Sequence, residues 1–167
     1  MASAKLARRR LSWGLVILAV FLARGVWAPG VSGQSKTGVV QTVYDGDTVR
    51  LTDGRRVRYL GIDTPEMFYR NPNKSPEPYA RKATKLNRQL VSGQQVVLKT
   101  DTQLKDKYDR LLAHVYLEDG TWVNAKLLEE GLARVLIIPP NVRHRDKFLK
   151  LQRKAQKEKK GIWNQSQ

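Results

Sequence analysis

The chain has 167 residues, 41% of them hydrophobic, which is enough for one domain with a buried core. Its 31 Lys and Arg against 15 Asp and Glu give a formal net charge of +16. This charge favours nucleic acid as the first partner and an acidic membrane surface as the second. The absence of cysteine excludes disulfides, iron–sulfur clusters and cysteine-ligated zinc. Because there are only two histidines, oxygen atoms must hold any bound metal, which favours calcium or magnesium.

Residues 1–33 have the organisation of a secretory signal peptide. A charged start, an apolar run and a group of small residues follow one another: Lys5 to Arg10, Leu11 to Ala23, and Val31 to Gly33. Arg24 interrupts the apolar run, which is shorter than a comfortable membrane span. We expect cleavage near Gly33 and a secreted or periplasmic protein; the alternative is a retained membrane anchor with the protein facing outside.

The first half of the remaining chain alternates apolar and polar residues as strands do. Three strands separated by Asp-Gly turns are predicted at Val39–Val43, Thr48–Leu51 and Val57–Ile62. Residues 67–78 are rich in Pro and Asn and predict a loop. Apolar residues from Tyr79 to Leu90 then recur at helical spacing, so a first helix is predicted, ending at Ser92 and Gly93.

The second half predicts two further strands and two further helices. The strands are Val96–Lys99 and Leu111–Leu117, and the helices run from Asn124 to Glu130 and from His144 to a point near Gly161. Five strands, with a helix between the third and fourth, suggest a mainly β, α+β fold: a five-stranded Greek-key OB-fold barrel with about three helices. We expect a single domain over residues 38–164.

Asp45, Gly46, Asp47 and Thr48 form the first of three clusters that carry chemistry. An Asp-Gly pair is a common hairpin turn, and the chain has two others, at Asp53 and Asp119. Only the first is followed at once by a second carboxylate. Like charges this close repel unless a cation or an arginine holds them, which favours a metal site.

Asp63, Thr64, Pro65 and Glu66 form the second cluster, five residues after Arg58. They would serve well as a helix start, but the irregular stretch that follows leaves little helix to cap. The functional interpretation is that Asp63 faces Asp47 and completes a calcium site with the Thr64 backbone oxygen, while Glu66 accepts a proton from a metal-associated water. An odd spacing places Arg58 and Asp63 on opposite faces of a straight strand, so this hypothesis requires a bend near Gly61.

Asp106, Lys107, Tyr108, Asp109 and Arg110 form the third cluster. By itself it would be a solvated loop between two strands. If Arg110 joins Arg58, two guanidinium forks can grip one phosphate and stabilise the charge of a five-coordinate transition state. Lys107 and Tyr108 can then contact a neighbouring phosphate or sugar.

These clusters, together with Val123 to Ala133 and the basic tail that ends at Trp163, resemble the staphylococcal nuclease (thermonuclease) family in order and spacing over residues 38–164. The resemblance implies an OB-fold with calcium held by Asp47, Asp63 and the Thr64 carbonyl and with Asp45 behind these ligands. It implies that Arg58 and Arg110 serve the phosphate and the transition state, and that Glu66 serves the attacking water. Lys107 and Tyr108 match positions that contact a terminal phosphate of the nucleotide. Family members cut DNA and RNA and leave 3′-phosphates.

The chain departs from the best-known family members at two places. Asp109 stands where they have Gly, and could restrict the loop or compete for Arg110. Ile137 and Pro139 stand where they have a pair of base-stacking tyrosines, which predicts weaker or altered base preference, since stacking is worth about 1–3 kcal/mol per base. Phe68 or Tyr69 is an alternative stacking platform, although covering the core is the simpler role for a surface aromatic.

Three functions are therefore open at this point. The favoured one is a calcium-dependent, sequence-tolerant endonuclease that uses DNA and RNA as substrate, acts as a monomer and needs no protein partner. The alternative is a non-catalytic OB-fold nucleic-acid-binding module. A membrane-surface protein would explain the basic charge but not the acidic clusters.

Overall fold

The computed structural model describes residues 35–68, 71 and 73–164. The predicted N-terminal signal segment and Tyr69 lie outside these residues. Within them, seven strands, three helices and a short 3-10 helix follow one another: β1 Ser35–Val43, β2 Thr48–Leu51, β3 Arg56–Tyr59, β4 Ile62–Asp63, α1 Ala80–Val91, β5 Gln95–Lys99, β6 Leu111–Leu117, α2 Val123–Glu129, β7 Arg134–Val135, α3 Arg145–Lys157 and the 3-10 helix Gly161–Trp163.

Five of the strands form a closed barrel in the order β1-β2-β3-β6-β5, and β1 pairs with β5 to close it. The β3–β6 pair is parallel and the other pairs are antiparallel. The register of β1 shifts between Val40 and Thr42, so its first part pairs with β5 and its last part with β2. Such a bulge bends a strand and helps a sheet to close. The predicted OB-fold barrel with three helices is confirmed.

The barrel interior is filled by the apolar residues that alternate along each strand. Val49, Leu51, Val57, Leu98 and Val115 are completely buried. Burying apolar side chains on one face of each strand is the main driving force for closing the barrel. None of the helices in the described part of the chain is long and apolar enough to cross a membrane.

The predicted third strand, Val57–Ile62, is wrong as one continuous element. It breaks after Tyr59, and Ile62–Asp63 instead forms β4, which pairs with the unpredicted strand β7 in a separate two-stranded sheet. Gly61 has φ +77°, and a Cβ there would lie 2.5 Å from Cε2 of Phe148 on α3. Only glycine combines this backbone conformation with such close packing, so Gly61 provides the bend that the acidic site requires.

Candidate active site

The turn between β1 and β2 holds Asp47 in a buried position. Asp47 is 4% exposed, and its backbone N–H donates to Asp45 Oδ1 at 3.0 Å. A Cβ at Gly46 would lie 2.6 Å from Thr64 Oγ1, so the turn packs directly against Thr64. The Thr64 backbone N–H and hydroxyl both donate to Asp47 Oδ2, at 2.8 and 3.0 Å. The first and second clusters are thus joined by short hydrogen bonds.

Arg58 on β3 connects the two carboxylates that were predicted to hold the metal. Its Nε lies 3.2 Å from Asp47 Oδ1, and its Nη2 lies 2.7 Å from Asp63 Oδ1. Nη1 donates to the carbonyls of Tyr59 and Ile62, at 2.9 and 2.8 Å. Four of the five N–H groups of Arg58 therefore face protein oxygens, which leaves one N–H on Nη2 for a phosphate. The bend at Gly61 brings Asp63 back to Arg58 despite their odd spacing.

Burial, and to a smaller extent repulsion between carboxylates, raises the pKa values of the acidic groups in this site. Burial raises the pKa of Asp47 to about 6; the Asp45 charge adds to this increase and Arg58 opposes it. Burial also raises the pKa of Asp45. Partial burial, together with the charges of Asp47 and Asp63, raises the pKa of Glu66. Four carboxylates thus share a single guanidinium, and this crowding favours an additional cation.

The donors in this site have the chemistry of a calcium or magnesium site. Asp47 and Asp63 supply hard anionic oxygens, and Thr64, directly after Asp63, supplies a backbone carbonyl. No three Asp, Glu or His side chains among the described residues form a metal-binding group by themselves. A metal here would therefore need main-chain oxygen or water as well as the two carboxylates. The residues fit a hard cation by type, with Arg58 between them.

Two buried amide side chains, not identified from the sequence, fix the position of the site. Asn87 on α1 donates to the Asp45 carbonyl at 2.9 Å and accepts from the Tyr59 hydroxyl at 2.8 Å. Asn124 on α2 accepts from the Val115 N–H at 2.8 Å and donates to the Leu60 carbonyl at 2.9 Å. Both asparagines are completely buried. Their apolar neighbours at helical spacing were a signal for a core face, but not for these partners.

The loop before β6 anchors Arg110 through Asp106. Arg110 Nε lies 2.7 Å from Asp106 Oδ2, and Asp106 Oδ1 accepts the backbone N–H groups of Tyr108 and Arg110 at 2.9 and 3.0 Å. Asp109 has φ +61° and pairs with Lys105 at 2.6 Å. Thus the carboxylate that holds Arg110 is Asp106, and Asp109 faces Lys105 instead.

Glu66 and Arg110 line one open groove of about 960 Å³. Tyr108 also lies on the wall of this groove and is 58% exposed. Its ring has Lys107 Nζ at 5.1 Å and Arg110 Cζ at 5.5 Å from the centroid. We call this cavity the active-site groove; its other lining residues are Val43, Tyr44, Asp45, Thr48, Arg56, Met67, Phe68, Asn71 and Arg88.

Arg56 and Arg88 are basic residues of this groove that the sequence analysis missed. Arg56 lies two residues before Arg58 on β3, and its Nη2 donates to the Tyr108 carbonyl at 2.6 Å. The strand period of two could have identified Arg56, since residues i and i+2 share a face. No local signal linked Arg88, on α1, to the distant clusters.

The two residues aligned with the missing tyrosines, Ile137 and Pro139, lie outside the lining of the active-site groove. Ile137 is partly buried and packs near Gly61: a Cβ added at Gly61 would lie 3.7 Å from Ile137 Cδ1. Pro139 is exposed. Among the described residues, neither is part of the active-site groove wall. Phe68 does line the groove and is half-buried.

Comparison with known proteins agrees with this architecture. The family model described as staphylococcal nuclease homologue matches residues 56–165. A thermonuclease from Staphylococcus intermedius is 37% identical over 93% of this chain and 98% of its own length. A thermonuclease from Staphylococcus hyicus is 38% identical over 80% of this chain and 79% of its own. The SPbeta prophage-derived endonuclease YokF of Bacillus subtilis (strain 168) is 43% identical over 73% of this chain, which spans 42% of that relative.

Proposed function

The chain belongs to the staphylococcal nuclease family and is a phosphodiester hydrolase, and we propose that it is a calcium-dependent endonuclease that cuts DNA and RNA with little sequence preference. One observation carries this proposal: Glu66 and Arg110 line the same open groove, beside a set of carboxylates gathered around Arg58. A site that only bound nucleic acid would have no use for mutually repelling carboxylates beside its phosphates.

In this proposal Glu66 is the general base. It is exposed to the groove, and its raised pKa makes its carboxylate a better proton acceptor than that of an ordinary glutamate. The Glu66 N–H donates to Glu77 Oε2 at 3.0 Å, which holds the backbone of this segment. The carboxylate of Glu66 would take the proton of the attacking water.

Arg110 would stabilise the negative charge that builds on the phosphate. Asp106 fixes this side chain through Nε, and the two Nη groups have no ion pair or hydrogen bond to any described residue. Two terminal N–H groups in one plane can contact two phosphate oxygens. Arg58 would contribute its charge and its single remaining N–H, and Lys107 and Tyr108 would contact a neighbouring phosphate.

Asp47, Asp63 and the Thr64 carbonyl would hold the calcium ion, with Asp45 supporting Asp47 from behind. Calcium bound there would supply Lewis-acid charge to the phosphate oxygens and favour loss of a proton from the attacking water. Asp45 orients this turn because its carboxylate accepts the Asp47 N–H at 3.0 Å. Cleavage at the bond to the 5′ oxygen, leaving 3′-phosphates, is part of the proposal.

The test is cleavage of single-stranded DNA, double-stranded DNA and RNA by the purified full chain, with calcium and with chelator, followed by analysis of the product end groups. We expect cutting only with calcium. Glu66→Gln and Arg110→Ala should each lower kcat by more than 100-fold, as is typical when a general base or a charge-stabilising group is removed. The matched control for Glu66→Gln is Glu118→Gln, which changes an exposed carboxylate in the turn after β6.

The outcomes separate the parts of the proposal. Equal cutting in chelator would remove the calcium assignment, and 5′-phosphate products would refute the proposed bond. Tight binding of all three polymers without cutting would favour the alternative, a non-catalytic binding module.

We also propose that the protein acts outside the cytoplasm as a monomer, with residues 1–33 as its export signal and an uncleaved anchor as the alternative. This rests on the charged, apolar and small-residue pattern of those residues. The N-terminal sequence of protein recovered from culture medium and from membranes would decide between cleavage and anchoring.

A further inference from the structure

A second open groove, of about 490 Å³, continues from the active-site groove along α1. We call it the α1 groove. Met67, Phe68, Asn71 and Arg88 line both cavities, so the two share a wall. The remaining basic residues of the α1 groove are Lys74, Arg81 and Lys85. A strand that occupied the active-site groove could therefore continue along this shared wall into the α1 groove.

Three of the four basic residues of α1 form a line along the groove. Arg81, Lys85 and Arg88 are spaced by four and three residues, so they lie on one face of the helix. The distance along the helix from the first to the last is about 10 Å. All three are exposed, and α1 contains no acidic residue.

This line of charge is not balanced by the fold. Among the described residues, no carboxylate forms an ion pair with Arg81, Lys85, Arg88 or Lys74, although eleven other pairs are present. Like charges at helical neighbour positions destabilise a helix slightly. Stability therefore gives no reason for the line, whereas an anionic polymer does.

Phe68 adds an aromatic surface at the junction of the two grooves. It is half-buried, and Lys74 Nζ lies 4.9 Å from the centroid of its ring. An aromatic ring beside an ammonium group suits a nucleotide, since the ring can stack on the base while the charge attracts the phosphate. The combination of ring and charge therefore favours a nucleic-acid strand as the occupant of the groove.

We propose that the α1 groove binds the part of a single-stranded nucleic acid that lies beyond the phosphate being cut, with phosphates along Arg81, Lys85 and Arg88 and a base on Phe68. This inference rests on the proposed nuclease function. It makes the substrate an extended strand several nucleotides long, rather than a single nucleotide linkage. It also places the base-stacking surface at Phe68, which lines both grooves, and not at Ile137 or Pro139, which line neither groove in the described part of the chain.

The experiment compares Lys85→Gln with Lys82→Gln in the full chain. Both changes remove one lysine from the exposed surface of α1, but Lys82 is not part of the α1 groove and its Nζ lies against the Tyr79 ring, 4.5 Å from the centroid. Binding of fluorescein-labelled dodecathymidylate is measured by anisotropy in chelator, where no cutting is expected. Cleavage of dodecathymidylate and of a thymidine dinucleotide is then followed with calcium.

We expect Lys85→Gln to weaken dodecamer binding by about threefold to tenfold. The negative slope of log affinity against log salt concentration should become shallower by about 0.7, the value for one lost phosphate contact. Lys82→Gln should change neither, and Lys85→Arg should restore both. Phe68→Ala should weaken dodecamer binding by about 5-fold to 150-fold, the range for one lost stacking contact, and Phe68→Leu should not restore it. Dinucleotide cleavage should be unaffected by Lys85→Gln.

Equal effects of Lys85→Gln and Lys82→Gln would overturn the proposal, as would an equal loss of dinucleotide and dodecamer cleavage. If the wild-type chain binds the dodecamer in a Lys85-dependent way but never cuts it, the α1 groove stands and the nuclease proposal fails. If it cuts the dodecamer and Lys85 has no influence, the nuclease stands and the α1 groove fails.

Discussion

Gly61 is a position where a single added methyl group should damage both the fold and the site. Its φ of +77° lies in the left-handed region, and a Cβ would lie 2.5 and 2.8 Å from Cε2 and Cδ2 of Phe148. Phe148 is completely buried, so its ring has little room to move. Gly61→Ala therefore combines backbone strain with overpacking of the core.

The two contributions can be estimated separately. An L-residue other than glycine costs about 1–2 kcal/mol in the left-handed region. Forcing an additional methyl group into a packed core costs about 1–3 kcal/mol. Alanine also restricts the unfolded chain more than glycine does, which offsets about 0.4–1 kcal/mol of this loss of stability. We expect Gly61→Ala to lower the free energy of unfolding by about 1–5 kcal/mol in total.

Gly54→Ala is the matched control because Gly54 has φ +87° and a Cβ there would meet nothing within 4 Å. It contains the strain without the clash, so urea unfolding of the two variants isolates the packing contribution. Phe148→Leu removes the atoms that the added methyl group would meet. The double variant Gly61→Ala with Phe148→Leu should therefore be more stable, by about 0.5–3 kcal/mol, than the sum of the two single losses predicts. The reasoning is refuted if Gly61→Ala costs no more than Gly54→Ala. At temperatures where Gly61→Ala is folded, we also expect slower cleavage, because the bend carries Asp63 to Arg58.

Three other predictions follow from buried groups and from the proposed cation. Asn87→Ala leaves the Tyr59 hydroxyl and the Asp45 carbonyl without their partner. Urea unfolding should therefore show a free energy of unfolding lower by at least about 2 kcal/mol, and kcat should fall. Tyr59→Phe, which spares the hydrogen bond to the Asp45 carbonyl, should lower the free energy of unfolding less and leave kcat unchanged. Burial lowers the pKa of His114 from 6.5 to about 3. Below pH 6.5 the unfolded chain therefore binds a proton at this histidine that the folded chain does not. The free energy of unfolding should fall as the pH drops below about 6.5. Relative to His114→Gln, the wild type should lose about 2 kcal/mol between pH 8 and pH 5, and parallel curves would contradict this. Calcium at 100 times its Kd should raise the free energy of unfolding by about 2.7 kcal/mol; chelator should reverse the effect, and Asp63→Asn should abolish it.

The barrel was predictable because its determinants are local. Alternating apolar residues gave β2, β5 and β6 almost residue for residue, and helical spacing gave α1 to within a few residues. Each of these patterns records which face of an element is buried, and burial dominates the folding energy. Sequence order then restricted the topology to few alternatives.

The geometry of the site was less predictable because it depends on long-range partners. Gly61 is visible in the sequence, but the reason for its bend is a ring on α3, 87 residues away in the chain. Asp106 was identified only as a member of its cluster, although it fixes Arg110. Arg58 was predicted to grip a phosphate together with Arg110, but no sequence signal indicated that most of its N–H groups also face Asp47, Asp63 and two carbonyls. Composition reveals which charges exist but not how they are shared.

The charge distribution on the described surface suggests that different residues bind the polymer and cleave it. The chain is strongly basic overall, yet the one place where the proposed reaction occurs is acidic, with Asp45, Asp47, Asp63 and Glu66 around Arg58. On the proposed assignment, Arg88 and the α1 groove attract the polymer whether or not a divalent cation is present, because their charges do not depend on the carboxylates. The acidic cluster, in contrast, repels a phosphate until its charge is balanced. The cation should therefore control turnover far more than it controls binding of a long strand, while a dinucleotide, which cannot reach the α1 groove, should depend on the cation for both.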